Sequence, residues 1–209
     1  IMDNLVYEYS DIKNIFMEIE IKKKKKNIFI SGAAHEYGSW NRNKSEEFVH
    51  DLSKKLIEND YKIVSGFGLG IGSAVISGAL KAIYSNSSKH SKDELILRPF
   101  PQNIEGREFW TQNRKDMIEY AGIAIFLFGN KLEGEKIIFS NGMREEFEIA
   151  KNNNLLLVPV GATGFISEEL WNELKEEYRE DSFYLDLGDK DKEPSELIDS
   201  ILNFLEKYK

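Results

Sequence analysis

The chain has 209 residues, of which 41% are apolar and 12% aromatic, so it can bury one sizeable core, and its formal net charge is −8. The acidic excess disfavours nucleic acid as a partner, because most of the surface repels a polyanion. Without any cysteine, the chain has no disulfides, thiolate metal sites or cysteine nucleophile, which fits a cytoplasmic protein. No apolar run approaches the roughly 20 residues that cross a bilayer, so no membrane partner is expected.

The first 26 residues are predicted to be a connector. Over residues 10–21, apolar side chains recur at helical spacing, at Ile12, Ile15, Phe16 and Ile19. Five lysines follow at 22–26, a pattern typical of a solvated linker end in an acidic protein. Because the sequence starts Ile-Met in mid-chain, we expect residues 1–26 to lead from an upstream domain into a nucleotide-binding domain over residues 27–209.

The rest of the chain repeats a strand, a turn and a helix. Strands are predicted at 27–32, from 61, and at 94–98, 122–128 and 155–160. Helices are predicted at about 44–59, after 72, and at 106–120, 142–151, 167–178 and 194–208, while residues 183–187 suggest an edge strand. This repetition predicts an α/β fold: a Rossmann-like, doubly wound, mainly parallel sheet with helices on both faces.

The second strand–helix unit contains four glycines in seven residues, Gly66, Gly68, Gly70 and Gly72. Glycines between a strand and a helix favour a phosphate site, because main-chain N–H groups then approach an anion closely. The alternative is that they only allow a close strand-to-helix crossing. The spacing completes neither G-x-G-x-x-G nor the Walker pattern, so neither hydride transfer nor ATP hydrolysis is expected.

Other candidates lie near predicted strand ends. Arg98 is placed to hold a phosphate through a forked contact, or else to form a surface ion pair. Arg114 and Lys115 are adjacent on a helix and point about 100° apart, so only one faces a pocket squarely. Glu146 could bind ribose hydroxyls or act as an acid/base, or be a favourable acidic residue in a first helical turn. Trp110 suits either the core or a base-stacking wall.

Together these motifs, from about residue 27 to 160, resemble the SLOG superfamily, which is named for the Smf/DprA and LOG proteins. LOG enzymes cleave the base from nucleotide monophosphates, using an Arg-Lys pair and P-G-G-x-G-T-x-x-E. Arg114 and Lys115 match the pair, Gly142 the last glycine, and Glu146 the glutamate. The proline and first glycines are replaced by a longer loop and the threonine by Met143, which weighs against hydrolysis.

A closer resemblance is to the SLOG sensor domains of Thoeris antiphage effectors. It implies a domain that is not itself an enzyme and has no cofactor or metal. Such a domain binds a cyclic ADP-ribose isomer made by a partner TIR-domain protein and thereby activates an upstream sirtuin-like NAD-hydrolysing domain in a homo-oligomer. By position, Arg98 and Lys115 would hold the pyrophosphate, and Glu146 or Glu133 would meet the ribose.

The predicted ligand-binding residues are Ser31, Gly32, Ala33, Gly66, Phe67, Gly68, Leu69, Gly70, Arg98, Lys115, Gly129, Asn130, Gly142 and Glu146. Two alternatives stay open at this point. The first is a LOG-type nucleotide phosphoribohydrolase, with Glu146 as acid/base. The second is DNA binding of the DprA kind, which the net charge disfavours.

Overall fold

The computed structural model describes residues 9–100 and 106–208. Residues 1–8 of the predicted connector lie outside the described residues. The helices of the described part are α1 (Tyr9–Lys24), α2 (Arg42–Glu58), α3 (Gly72–Ser85), α4 (Arg107–Ile118), α5 (Asn141–Asn152), α6 (Phe165–Leu174), α7 (Ser182–Asp186) and α8 (Pro194–Lys207). None of these helices is both long and apolar enough to cross a membrane.

The strands form a five-stranded parallel sheet and a separate two-stranded hairpin, in the part of the chain that is described. In chain order they are β1 (Asn27–Ala33), β2 (Lys62–Ser65), β3 (Leu95–Leu97), β4 (Ile123–Phe128), β5 (Asn130–Glu133), β6 (Lys136–Phe139) and β7 (Leu156–Pro159). The order across the main sheet is β3-β2-β1-β4-β7, which confirms the predicted Rossmann-like fold.

The chain reverses its direction across the sheet beside β1. It runs outward from β1 through β2 to β3, and then returns through α4 to β4 on the other side of β1. Right-handed crossovers in opposite directions place α2 and α3 on one face and α4 and α5 on the other. The carboxyl ends of β1 and β4 therefore adjoin, with Ala33 opposite Phe128, and such a switch point is where doubly wound sheets bind ligands.

The glycine-rich turn after β2 lies directly against the backbone that follows β1. A Cβ on Gly68 would sit 1.9 Å from the carbonyl oxygen of Gly32, and one on Gly70 would sit 1.9 Å from that of Ala34. The Ala34 amide also donates a 2.8 Å hydrogen bond to the carbonyl of Leu69. Close backbone packing, the simpler of the two interpretations of these glycines, therefore accounts for Gly68 and Gly70.

Two local predictions were wrong. Residues 183–187 do not form an edge strand: α7 covers Ser182–Asp186, begun by the Asp181 carboxylate, which accepts from the amides of Phe183 and Tyr184. The fully buried Tyr184 ring packs on Tyr178 and Phe204, so tertiary burial overrides the alternating pattern. The long stretch after residue 129 is not a plain loop but the β5–β6 hairpin, which turns at Gly134 with φ 61°.

We predict that Gly68→Ala lowers the free energy of unfolding by about 3 kcal/mol, because the new methyl group meets backbone that no side-chain rotation can move. Urea denaturation measures the loss. The control is Gly134→Ala, which also places alanine in a turn, but no atom of the described residues lies within 4 Å of the new Cβ. This control should lower the free energy of unfolding by only about 1 kcal/mol, because alanine is strained in the left-handed backbone conformation of residue 134. Equal losses in the two variants would contradict the packing described for the glycine turn.

Candidate functional site

The carboxyl edge of the sheet gathers most of the predicted ligand-binding residues. Three come from the end of β1, five from the turn after β2, two from the end of β4 and two from the start of α5. In that order they are Ser31, Gly32 and Ala33; Gly66, Phe67, Gly68, Leu69 and Gly70; Gly129 and Asn130; and Gly142 and Glu146. Binding by these residues remains a prediction.

The centre of this edge is a buried contact between a serine, a glutamate and an arginine. The Ser31 hydroxyl donates a 2.5 Å hydrogen bond to Oε2 of Glu146. The other oxygen, Oε1, lies 3.4 Å from Nε of Arg114, an ion pair without the geometry of a hydrogen bond. This contact, called here the Ser31–Glu146–Arg114 cluster, joins β1, α5 and α4.

Arg114 contacts α5 and an aromatic ring. Its Nη1 donates a 3.1 Å hydrogen bond to Oε2 of Glu145, whose other oxygen accepts from the Thr111 hydroxyl. The guanidinium lies 5.2 Å from the centre of the Phe100 ring. On α5, a Cβ at Gly142 would come within 2.6 Å of Nη2, so Gly142 makes room for the arginine rather than only freeing main-chain donors.

Burial raises the pKa of the Glu146 carboxyl above its ordinary value, because desolvation disfavours the charged form. The hydrogen bond from Ser31 and the charge of Arg114 oppose this effect but do not cancel it. Two carboxyl groups thus face one guanidinium in a buried setting. Such a cluster is a poor place for a phosphate, since its one guanidinium is only 13% exposed and already faces both carboxyl groups.

Asn130, predicted to touch ligand, supports the loop after β1. Its Oδ1 accepts from the amides of His35 and Glu36, at 3.0 and 2.9 Å, and its Nδ2 donates to the Glu36 carbonyl at 2.7 Å. The side chain is fully buried. One amide hydrogen is left uncommitted by these bonds, so any ligand contact by Asn130 is limited to that group.

An open cleft of about 890 Å³ lies on the α2 side of the glycine turn. Its walls are α2, the turn and the first turn of α3, with these polar or charged residues: Arg42, Asn43, Glu46, Glu47, His50, Ser73 and Ser77. Among the described residues no side chain caps the start of α3. The Gly72 amide donates to the Gly68 carbonyl at 2.8 Å, which leaves the amides of Ser73 and Ala74 as donors for an anion. We call this space the α2–α3 cleft.

Phe67 and Leu69 add exposed apolar surface to the α2–α3 cleft. The two side chains are 49% and 65% exposed. Phe67 also has a positive φ of 59°, which is uncommon for a residue with a bulky side chain. The sequence placed both residues in the candidate site because of the glycines beside them, but only the structure gives their exposure.

The side chains of the two cations expected to hold pyrophosphate do not line the α2–α3 cleft. Arg98 follows β3, but its guanidinium donates a 2.9 Å hydrogen bond to the Tyr120 hydroxyl and lies over that ring. Lys115 lines a different hollow, with Lys24 and the ends of α4 and α5. Of the adjacent pair on α4, it is Arg114 that faces the carboxyl edge.

The sequence did not indicate that Glu145 binds Arg114 or that Thr111 donates to Glu145. It also did not indicate that Arg42 lines the α2–α3 cleft. A signal existed for Glu145, because it directly precedes a candidate glutamate. No pattern in the sequence singles out Thr111 or Arg42, since their position depends on how the helices rotate against the sheet.

A family model described as the Sir2- and TIR-associating SLOG family matches residues 11–208. The chain belongs to this family. The match begins inside α1 and includes the whole sheet, so the SLOG resemblance of the sequence is confirmed. Whether a domain boundary lies at residue 26 stays a prediction.

Curated relatives of this SLOG chain share one name, NAD(+) hydrolase ThsA. The Bacillus cereus (strain MSX-D12) protein is 42% identical over 207 residues, which cover 95% of this chain and 44% of that protein. The Cytobacillus dafuensis protein is 39% identical, covering 96% and 44%. The chain thus spans less than half the length of these relatives and corresponds to their C-terminal part.

A solved structure supports the fold alone. It is the X-ray structure of TM1055, a Northeast Structural Genomics Consortium target, with a TM-score of 0.51 and 12% sequence identity. The superposition covers 70% of this chain and 80% of that one.

We predict that Glu146 contributes a loss of stability as the pH rises above 4.5 and that Glu146→Gln removes this contribution. A carboxyl whose pKa is raised by folding keeps its proton longer in the folded state, so rising pH favours unfolding until the raised pKa is passed. A pKa higher by one corresponds to about 1.4 kcal/mol. Thermal melts of both proteins from pH 4.5 to 8 give the comparison.

The matched control is Glu148→Gln, which makes the same change at an exposed position of the same helix, α5, and should not reproduce the effect of Glu146→Gln. If Glu146→Gln instead destabilised the protein more at high pH than at low pH, Glu146 would be ionised in the folded state and its raised pKa would be wrong.

Proposed function

We propose that this SLOG domain is a cytoplasmic receptor for a cyclic ADP-ribose isomer made by a TIR-domain partner. Binding activates an attached sirtuin-like NAD-hydrolysing domain in a homo-oligomer, as part of antiphage defence. The family description, which links SLOG to Sir2 and TIR domains, and the kinship with NAD(+) hydrolases support this proposal. The hydrolase activity belongs to the part of those relatives that lies outside this chain.

The Ser31–Glu146–Arg114 cluster is the observation that carries the proposal. A phosphoribohydrolase of the LOG type would use Glu146 on its substrate. Here the Glu146 carboxyl is buried, and both of its oxygens are engaged by the protein. An acid/base must reach the group it protonates, and this one faces its own chain. The carboxyl edge is therefore better suited to hold a nucleotide than to cleave it.

The α2–α3 cleft is the part of the edge that suits a diphosphate. Its volume of about 890 Å³ lies within the usual range for small-molecule sites. The first amides of α3, the hydroxyls of Ser73 and Ser77, and Arg42 offer donors for phosphate oxygens. Glu46 and Glu47 lie on α2 with Arg42, and Glu46 forms a 3.2 Å ion pair with it. These two carboxylates can accept hydrogen bonds from ribose hydroxyls. Phe67 offers a ring face for the adenine.

Because the proposed ligand is a rigid ring, a site with few hydrogen-bond donors can bind it. A cyclic compound loses little conformational entropy on binding, so a few donors can give useful affinity. Activation further requires that the ligand prefer the active arrangement of the parent protein, and a preference of about 100-fold corresponds to about 2.7 kcal/mol.

A phosphoribohydrolase is the second candidate. The observation in its favour is that Arg114 and Glu146 lie together in the structure, as the match to the LOG motif implies, and that the pKa of Glu146 is raised. Raised pKa values at buried carboxyls accompany general acids in many active sites. The two candidates make opposite predictions for the fate of a bound nucleotide.

We predict that calorimetric titration with cyclic ADP-ribose isomers detects saturable one-site binding, and that chromatography of the mixture recovers the isomer intact. AMP incubated with the protein should release no free adenine. Release of adenine that Glu146→Gln abolishes would instead establish the phosphoribohydrolase. Absence of binding to every isomer, ADP-ribose and NAD would contradict the receptor.

Three variants, each lacking one positively charged side chain, test where the phosphates of the ligand bind. Arg42→Ala is expected to weaken binding at least about tenfold, the loss of a charge-assisted hydrogen bond. Arg98→Ala and Lys115→Ala remove the same charge elsewhere on the surface and are expected to leave the affinity unchanged. The reverse pattern would retain the receptor but assign the pyrophosphate to Arg98 and Lys115, as the sequence predicted.

A further inference from the structure

His50 lies at the point where the two helices of the α2–α3 cleft are in contact. A Cβ added to Gly78 of α3 would sit 1.9 Å from the His50 carbonyl oxygen, so the helix backbones touch there. The His50 side chain is 31% exposed and lines the cleft. Arg42, Glu46 and His50 follow one another at intervals of four residues, which places them on one side of α2. His50 is therefore part of the wall that a bound molecule would meet.

A neighbouring carboxylate determines which nitrogen of His50 is available. Nδ1 lies 2.9 Å from Oδ1 of Asp51. An ionised carboxylate only accepts hydrogen bonds, so the hydrogen of the neutral ring is on Nδ1 and Nε2 carries a lone pair. In this state Nε2 can accept a hydrogen bond but cannot donate one to a phosphate. A second proton, bound at Nε2, turns the same atom into a charged donor.

The charges along the cleft do not match those of a diphosphate. Among the described residues that line it, Arg42 carries one positive charge, while Glu46 and Glu47 carry two negative charges at neutral pH. Glu46 also pairs with Arg42, which offsets part of the attraction that Arg42 offers to an anion. Ser73 and Ser77 of α3 are neutral. A diphosphate with two negative charges therefore needs a further positive charge in the cleft.

His50 is the lining residue that can supply this charge. Asp51 contacts it, and the two glutamates of the cleft lie about one turn before it on α2. Lys54 lies one turn after it but is paired with Glu58 at 3.7 Å. On α3, Lys81 lies beyond the contact with α2 and is not among the lining residues. An imidazole ordinarily changes its charge between pH 5 and 8, whereas the lysines already carry theirs.

We propose that His50 is a further ligand-binding residue of the α2–α3 cleft and that it takes up a proton when a diphosphate binds. The proton comes from solvent and is held on Nε2, which then donates a charge-assisted hydrogen bond to a phosphate oxygen. No bond of the ligand is made or broken. The inference rests on the function proposed above, because it places the diphosphate in this cleft. By linkage, a ligand that prefers the protonated form binds more tightly as the pH falls.

The first test is the pH dependence of the affinity. Calorimetric titration with ADP-ribose and with each cyclic ADP-ribose isomer is carried out at pH 6, 7 and 8. The diphosphate of these compounds is esterified at both ends and keeps two negative charges over this range. We expect an affinity about fivefold higher at pH 6 than at pH 8, as follows when binding raises the proton affinity of one imidazole about tenfold. His50→Gln should remove this dependence.

The second test counts the protons. Titrations at pH 7 in two buffers with different heats of ionisation give the number of protons taken up per ligand, which should be about one half. His50→Gln should abolish the uptake. The matched control is His35→Gln, which removes an exposed imidazole that does not line the cleft and should leave the uptake unchanged. Circular dichroism melts check that both variants fold.

The unchanged protein gives an independent measurement. The chain has three histidines, so NMR can follow the ring carbon between the two nitrogens of each one during the titration. The signal of His50 should move towards that of the protonated ring. Binding with no change at His50, or with equal proton uptake in His50→Gln, would overturn the role of His50 and leave the receptor in place. Absence of binding by every compound at every pH would overturn both.

Discussion

The structure of the carboxyl edge depends on the buried Glu146 carboxyl, which contacts both Ser31 and Arg114. It ties the central strand β1 to the two helices on one face of the sheet, α4 and α5. Because the carboxyl is removed from water, leaving any of its partners unpaired would be costly. Gly142 is part of the same arrangement, since a larger residue would displace the arginine.

This cluster also divides the edge into two parts with different chemistry. On the α5 side, two carboxyl groups surround one guanidinium, and the groups that a LOG-type enzyme would use are committed to each other. On the α2 side, the glycine turn delivers the start of α3 into an open cleft with hydroxyls, an arginine and exposed apolar surface. The glycines serve both parts, because the backbone contact at Gly68 and Gly70 fixes where α3 begins.

The fold was largely predictable from the sequence, because the apolar runs of β1 and β4 and the stripes of the long helices are strong local signals. The short α7 and the β5–β6 hairpin were not predictable. The burial of Tyr184 in the core favours α7 over a strand, and the hairpin depends on the single turn at Gly134. For the site, topology placed the right strand ends together. The direction of individual side chains could not be predicted. The sequence does not show whether Arg114 or Lys115 faces the carboxyl edge, or that Arg98 donates a hydrogen bond to Tyr120.

A crystal structure of the domain with a cyclic ADP-ribose isomer tests the account most directly. We expect an intact ligand in the α2–α3 cleft, with its phosphates at the first turn of α3 and Glu146 still hydrogen-bonded to Ser31. A ligand bound elsewhere, a cleaved ligand, or a Glu146 carboxyl turned away from Ser31 towards the ribose would contradict it.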